Sequence, residues 1–550
     1  MVVRHGRAKS IGLALAILAL SLCGCARSPE TASPIAQTAP AGEEESASHW
    51  LVAVEDEPDT VDFQCTTIHY TVAANVFDRL VEMKAGADGS VTVMPSLAES
   101  WEESDDGLVY AFHLREDIEF SNGASLTASD VLYTFTRLLT HPDSCNRDIA
   151  LGIAGAEALI SGKARQLEGL QVLNDTDFTI TLEEPFEAFL ACLSMPGASI
   201  LDEETTRAAG DRFGKAPECT VGTGPFILRQ WTPGEGMLLS ANPDCWSGAP
   251  NCDGLDLRFM TEPEDERAMF ESGKLDLLDL DELGDTAEYF IRGDIYQDRL
   301  YQVQPIGITY IALNESIEPL DDVRVRKALQ MALNRKTLLD AVHSGRGNIE
   351  NGIFPRGLYG CNPELPEIAC DADAAKALLA QAGYPDGFDL AISVKSSSVQ
   401  WERTLMNIVA SMWKDIGVRP TVAVMDEGEF MRRRKSGALA CYTATWTADF
   451  NDPDNFIYTF FGSGENTDFR SLCYPDESVM ARVRKARAIR DPDERIREYR
   501  DLEQTIVQRD AAWIPLFSRL RYYVISERVE GLRSAWNGSV KNEYRSISIK

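Results

Sequence analysis

The chain has 550 residues, and beyond about residue 48 neither a Pro/Gly-rich linker nor an internal repeat interrupts it. That continuity is the strongest constraint on its fold. A single hydrophobic core stops growing at roughly 250–300 residues, so a chain this long must divide into two or three lobes. With no flexible linker between them, the lobes must be joined by segments that cross directly from one into the next. The local patterns give the class. Trp50-Leu51-Val52-Ala53-Val54 reads as a buried strand ended by Glu55-Asp56-Glu57-Pro58, and Val72, Val76 and Leu80 follow at helical spacing. Thr127-Ala128-Ser129-Asp130 opens a helix with Val131, Phe135 and Leu138 on its apolar face. Further on, Asp321 or Asp322 can cap a helix through Val325 and Leu329. Asp373 can cap one stopped by Gly383, and a third runs from Trp401 to a stop at Gly417. Strands and helices mix throughout, which makes the class α/β.

The first 25 residues read as a targeting segment. Arg4, Arg7 and Lys9 precede an apolar run from Ile11 to Leu22, too short for a spanning helix of roughly 20 residues. The run ends Leu22-Cys23-Gly24-Cys25, which resembles a bacterial lipobox and implies a lipid on Cys25. An ordinary cleaved signal without lipid is the alternative. Residues 26–48 are rich in Ala, Ser, Thr, Pro and Glu and read as a disordered tether. No later segment is apolar enough to span a bilayer.

Charge excludes one class of partner. With 53 Lys+Arg against 86 Asp+Glu the net charge is −33, which repels phosphate backbones and argues against nucleic acid. Setting Cys23 and Cys25 aside leaves an even set of the 12 cysteines, which in an exported chain suggests disulfides, with Cys245/Cys252 and Cys361/Cys370 near enough in sequence to pair. Zinc is disfavoured: the mature chain has no CxxC, and its few histidines show no HxxxH. No metal or other cofactor is expected. Nor is an enzyme, since GxSxG and HExxH are both absent.

A series of blocks then falls in one order along the chain: Glu57-Pro58-Asp59-Thr60-Val61-Asp62, Pro95 to Glu102, Tyr110 to Arg115, Phe120 to Gly123 with Leu126 to Val131, Gly222 to Phe226, Asn242 to Trp246, Val323 to Leu329, Trp446 to Pro453, and Trp513 to Leu516. In these blocks the chain resembles the extracellular solute-binding proteins of family 5, the peptide and nickel receptors of ABC importers. The resemblance implies a periplasmic-binding-protein-like fold of type II, with two hinged lobes plus an inserted domain. Lobe I would comprise 49–85, 215–305 and 506–550, the inserted domain 86–214, and lobe III 306–505. It further implies a monomer outside the cytoplasm, lipid-anchored to the cell membrane, that binds a peptide between lobes I and III and serves an ABC permease and ATPase.

By the same resemblance, Asp449 matches the Asp of the family's Trp-x-x-Asp segment, which pairs with a peptide's ammonium group. A dry cleft requires such a carboxylate, because an unpaired buried charge is costly. Asp449 also stands in a stretch of turn formers, so a turn role is the plain alternative. Trp446 reads equally as a cleft wall or as core. Thr66 and Thr67 fall where the family has a cleft loop and can offer hydroxyls or backbone groups. Gly222-Thr223-Gly224 lacks a following Lys-Ser/Thr and reads as a tight strand-entry turn. Arg432 to Lys435 read as a solvated helix face. A non-peptide ligand such as a metal chelate, oligosaccharide or haem-like compound, or a sensing rather than importing role, fits the same sequence.

Overall fold

The computed structural model describes residues 49–85, 91–260, 263–281, 283, 286–534 and 542–550. The targeting segment, Cys25 and the tether lie outside the described residues. Among the described residues no helix is long and apolar enough to cross a membrane.

Two large sheets organise the chain. The first has seven strands, in the spatial order 300–303, 521–525, 277–279, 50–54, 254–258, 236–241 and 226–232. Its central strand Trp50–Val54 pairs in parallel with Gly254–Arg258 and Leu277–Asp279. Both faces are covered. Leu51 and Ala53 enter one core cluster, and Val52 and Val54 pack against another. That is why the segment is apolar without strict alternation.

The second sheet has six strands, ordered 347–349, 513–519, 307–313, 441–447, 389–395 and 419–425. Strand Gly307–Leu313 is buried at every position, with Ile308, Tyr310 and Ala312 on one face and Ile311 and Leu313 on the other. A four-stranded antiparallel sheet (98–103, 109–114, 177–181, 170–172) forms a third body. Its core includes Val131, Phe135 and Leu138 of helix Ala128–Thr140.

One expected boundary is corrected. The strand Trp513–Arg519, assigned above to lobe I, lies in the six-stranded sheet, antiparallel to Gly307–Leu313. Packing decides it. Trp513 stacks on Tyr310 at 3.9 Å, and Ile514, Leu516 and Phe517 share a core with Ile311 and Leu313. The chain rejoins the seven-stranded sheet at Arg521. Residues 304–306 and Leu520 therefore form two short, direct crossings between the large sheets.

Helix starts follow the side chains that can take orphan N–H groups. Thr127 and Asp130 form a capping box, and Asp322 accepts the N–H of Arg324. The helix Ala372–Gln381 is capped by Asp371, which accepts from Ala374 N–H at 2.9 Å, with Asp373 inside its first turn. Gly383 and Gly417 both take φ 96°, ending their helices as expected.

Two other expectations change. The ten described cysteines are all free thiols, so Cys245/Cys252 and Cys361/Cys370 do not pair. Cys252 points into the core beneath the seven-stranded sheet, whereas Cys245 Sγ faces the Ser247 hydroxyl at 3.4 Å. Cys361 Sγ faces the Phe354 carbonyl at 3.6 Å, and Cys370 is exposed. Short separation in sequence does not by itself set the Cα spacing and Cβ geometry that a disulfide needs. At Gly222-Thr223-Gly224 the requirement is close approach rather than a turn. A Cβ on Gly222 would lie 2.1 Å from the Val76 carbonyl oxygen, and one on Gly224 2.6 Å from it.

Candidate functional site

Three segments from different parts of the chain converge between the sheet bodies. The first is the loop after the first strand. Arg137 of helix Ala128–Thr140 holds it through Asp62, at 2.6 Å, and the Gln64 side-chain oxygen, at 2.6 Å. Asn146 Nδ2 lies within hydrogen-bond distance of the Phe63 carbonyl (2.9 Å), the Thr66 carbonyl (2.8 Å) and the Tyr70 hydroxyl (2.9 Å). Tyr70 in turn donates to the Thr66 carbonyl at 2.5 Å. The second segment, residues 141–149, thus serves as a clasp on the first, and it carries Asp148.

The third segment follows strand Cys441–Thr447. Here the turn-forming and ligand-facing readings divide among neighbouring acids. Asp452 Oδ1 accepts the N–H of Asp454 at 2.9 Å, and Arg495 forks onto Oδ1 at 2.7 Å and Oδ2 at 2.8 Å. Asp454 opens the helix Asp454–Phe461 and accepts from Arg487 Nε at 3.1 Å and the Tyr499 hydroxyl at 3.1 Å. Asp449 has neither role. Among the described residues its carboxylate accepts only from Asn455 Nδ2 at 3.1 Å, and its N–H donates to Asn455 Oδ1 at 3.0 Å. Burial raises its pKa to about 6, the Asn455 contact works against that rise, and Asp148 adds to it. Burial likewise raises the Asp148 carboxyl. The Tyr70 hydroxyl is raised chiefly by burial, with both Asp449 and Asp148 adding to the rise. Tyr70, Asp148 and Asp449 therefore lie within electrostatic reach of one another, Tyr70 buried, Asp449 half-buried and Asp148 exposed, although they are far apart in sequence.

The Trp446 ring meets Phe460 edge-to-face at 5.2 Å, and its indole N–H, shielded from solvent, has no hydrogen-bond partner among the described residues. The Thr66 hydroxyl is used locally, donating to the Ile68 carbonyl at 2.9 Å, so only its backbone belongs to the clasp. Thr67 is exposed. In the helix Glu427–Lys435, Arg432 pairs with Glu429 on an exposed face, in keeping with a solvated surface. The residues that sequence reading missed are Tyr70, Asn146, Asp148 and Arg470. The last lies over the Phe460 ring at 4.7 Å and the Trp446 ring at 5.7 Å. None carries a motif, and only folding brings them together. Among the described residues no group of three or more His, Cys, Asp or Glu could hold a metal ion.

Comparison with known proteins agrees with this architecture. The profile for bacterial extracellular solute-binding proteins, family 5 Middle, matches residues 92–468. Di/tripeptide-binding protein 2 of Pseudomonas aeruginosa is 30% identical over 501 residues, 88% of this chain and 92% of the relative. Heme-binding protein A of Haemophilus influenzae is 29% identical over 481 residues, 84% of this chain and 85% of the relative. Among solved structures, HbpA2 from Haemophilus parasuis superposes with a TM-score of 0.76 at 27% identity, covering 91% of this chain and 99% of that one. DppA from Helicobacter pylori, solved with the peptide STSA, gives 0.73 at 24% identity, over 91% of this chain and 98% of that one. The chain belongs to the bacterial extracellular solute-binding proteins, family 5, with the type II periplasmic-binding fold.

Proposed function

We propose that the protein captures a short peptide between its sheet bodies and delivers it to an ABC permease, acting outside the cytoplasm on a lipid anchor at Cys25. The observation that carries the reading is Asp449, a half-buried carboxylate whose one side-chain partner among the described residues is a neutral amide. Such a group is poorly compensated in the empty protein and is completed by an ammonium. The peptide-binding relative, similar along nearly its whole length, supports the same reading. Lobe I would supply the Thr66–Tyr70 loop, with Thr66 and Thr67 offering backbone groups, and lobe III would supply Asp449 and Trp446.

The test is to express the protein without its first 25 residues and identify by mass spectrometry what co-purifies and what is retained from a dipeptide mixture. Retained peptides with free N-termini are the expected result. A haem-like or chelate ligand, with no peptide retained, would overturn the reading.

A further inference from the structure

The clasp between the first loop and residues 141–149 also brings two thiols together. Cys65 and Cys145 lie 80 residues apart in sequence. Yet the Cys145 N–H donates to the carbonyl of Gln64, the residue before Cys65, at 2.8 Å. Ordinary bond lengths and angles on either side of that hydrogen bond hold the two α-carbons within about 6.5 Å of each other. Disulfides join α-carbons roughly 4.4–6.8 Å apart, so the backbone already stands at bridging distance. The side chains border one turn. The Cys65 thiol meets His141 Nδ1 at 3.4 Å, and the Cys145 thiol donates to the Asp143 carbonyl at 3.4 Å. His141 Nδ1 also accepts the N–H of Asp143 at 3.3 Å, so it carries no proton and the Cys65 thiol is the donor to it. Burial and then the Asp62 carboxylate push the Cys65 thiol up to about 12, and Cys145 adds to that rise. Cys65 is half-buried, whereas Cys145 is exposed.

We propose that Cys65 and Cys145 are oxidised to a disulfide in the exported protein, riveting the first loop to the 141–149 clasp. The oxidant is an external disulfide, the chemical class that supports disulfide formation outside the cytoplasm. The exposed Cys145 loses its proton to solvent and attacks one sulfur of the donor, which forms a mixed disulfide and releases one donor thiol. Cys65 passes its proton to His141 Nδ1 and attacks the Cys145 sulfur, which releases the second donor thiol. Two S–H bonds are lost, one S–S bond forms, and the donor disulfide is reduced to two thiols. The Cys145 side chain must swing from the Asp143 carbonyl toward Cys65, a rotation that its exposure leaves open. The bond would fix the loop bearing Thr66 and Tyr70 against the segment bearing Asn146 and Asp148. It goes beyond the peptide reading and holds whatever the ligand.

The experiment takes the mature protein from its extracytoplasmic location, alkylates free thiols, digests it without reductant and maps the fragments by mass spectrometry. The expected result, from protein of monomer mass, is a linked pair of fragments carrying Cys65 and Cys145 that disappears on reduction. Oxidised glutathione added to the reduced protein should regenerate the link. Oxidised wild type should melt about 4 °C above reduced wild type, because the bond closes an 80-residue loop. In Cys65→Ser and Cys145→Ser, reductant should leave the melting temperature in place. Alkylation of both cysteines in oxidised wild type overturns the proposal. So does Cys145 held only as a glutathione adduct, or a link from Cys145 to any other cysteine. The fragment map of wild type decides the matter even if a variant fails to fold.

Discussion

Asp449 has lost water and gained a single amide, so its carboxyl is held at about 6, with Asp148 pushing the same way and Arg470 the opposite. An ammonium pairs only with the ionised form. Affinity for a free-N-terminus peptide should therefore rise as pH increases from about 5 to about 7, with a proton released on binding near the middle of that window. Calorimetry in buffers of different ionisation heat measures this directly, and an absence of proton release would count against the pairing. Besides burial, the groups that set the window are Asn455, Asp148 and Arg470. In the ligand-free protein the sign is reversed. A carboxyl raised from 3.8 to about 6 adds stability that is fully present below pH 3.8 and is lost as pH rises through 6. Asp449→Asn should thus relieve that loss in the empty protein while weakening peptide binding by about 2–5 kcal/mol. It should leave binding of an N-acetylated peptide unchanged.

The segment from Asp449 to Asp454 holds its shape because later helices grip it. Arg495 of the helix Pro492–Gln504 is 2% exposed and Asp452 6%, and two hydrogen bonds join them. Removing one partner strands a buried charge, so Arg495→Ala should destabilise the protein by about 3–5 kcal/mol in urea unfolding. Adding Asp452→Asn to that variant should recover part of the loss, because the stranded carboxylate is gone. A purely additive double variant would show that the pair contributes no coupling. At this scale the sequence was readable wherever the cause is local. Asp322 caps where it stands, Gly383 and Gly417 stop their helices, and Trp50–Val54 is a strand because it is apolar on both faces. It was misleading wherever the cause is distant. Asp373, read as the cap, lies inside a helix that Asp371 caps, and Cys245 and Cys252 are seven residues apart yet face different surroundings. Strand Trp513–Arg519 joins whichever sheet can bury Trp513, and that depends on Tyr310, some 200 residues earlier. Arg470 beside Phe469 resembles any surface arginine until Trp446 and Phe460 are folded around it.

Across the whole molecule, two kinds of contact oppose each other. Several contacts join the four-stranded body to the helices of the six-stranded one. Arg490 pairs with Glu103 at 2.6 Å, the Glu187 N–H donates to the Arg487 carbonyl at 3.0 Å, and Arg487 lies 4.0 Å from the Phe186 ring centre. Phe450, next to Asp449, packs into the core of the four-stranded body. An exposed ion pair contributes about 0–1 kcal/mol, so the Glu103–Arg490 pair adds little beside the burial of Phe450. Against them stands the like charge of the exposed Asp148, which raises the half-buried Asp449 and repels it more as the bodies approach. The crossings at 304–306 and Leu520 are short enough to act as hinges, because few bonds need to rotate for the sheets to move. A ligand that brings an ammonium between the two carboxylates converts the repulsion into attraction and shifts the balance toward the compact form. Small-angle scattering should therefore show a more expanded protein without peptide than with it. The peptide-induced compaction should disappear in Asp449→Asn, whereas Glu103→Ala should leave it nearly intact, since that pair adds little. If wild type keeps the same dimensions with and without a peptide that calorimetry shows to bind, closure is not driven by the ligand and the two carboxylates have no part in it.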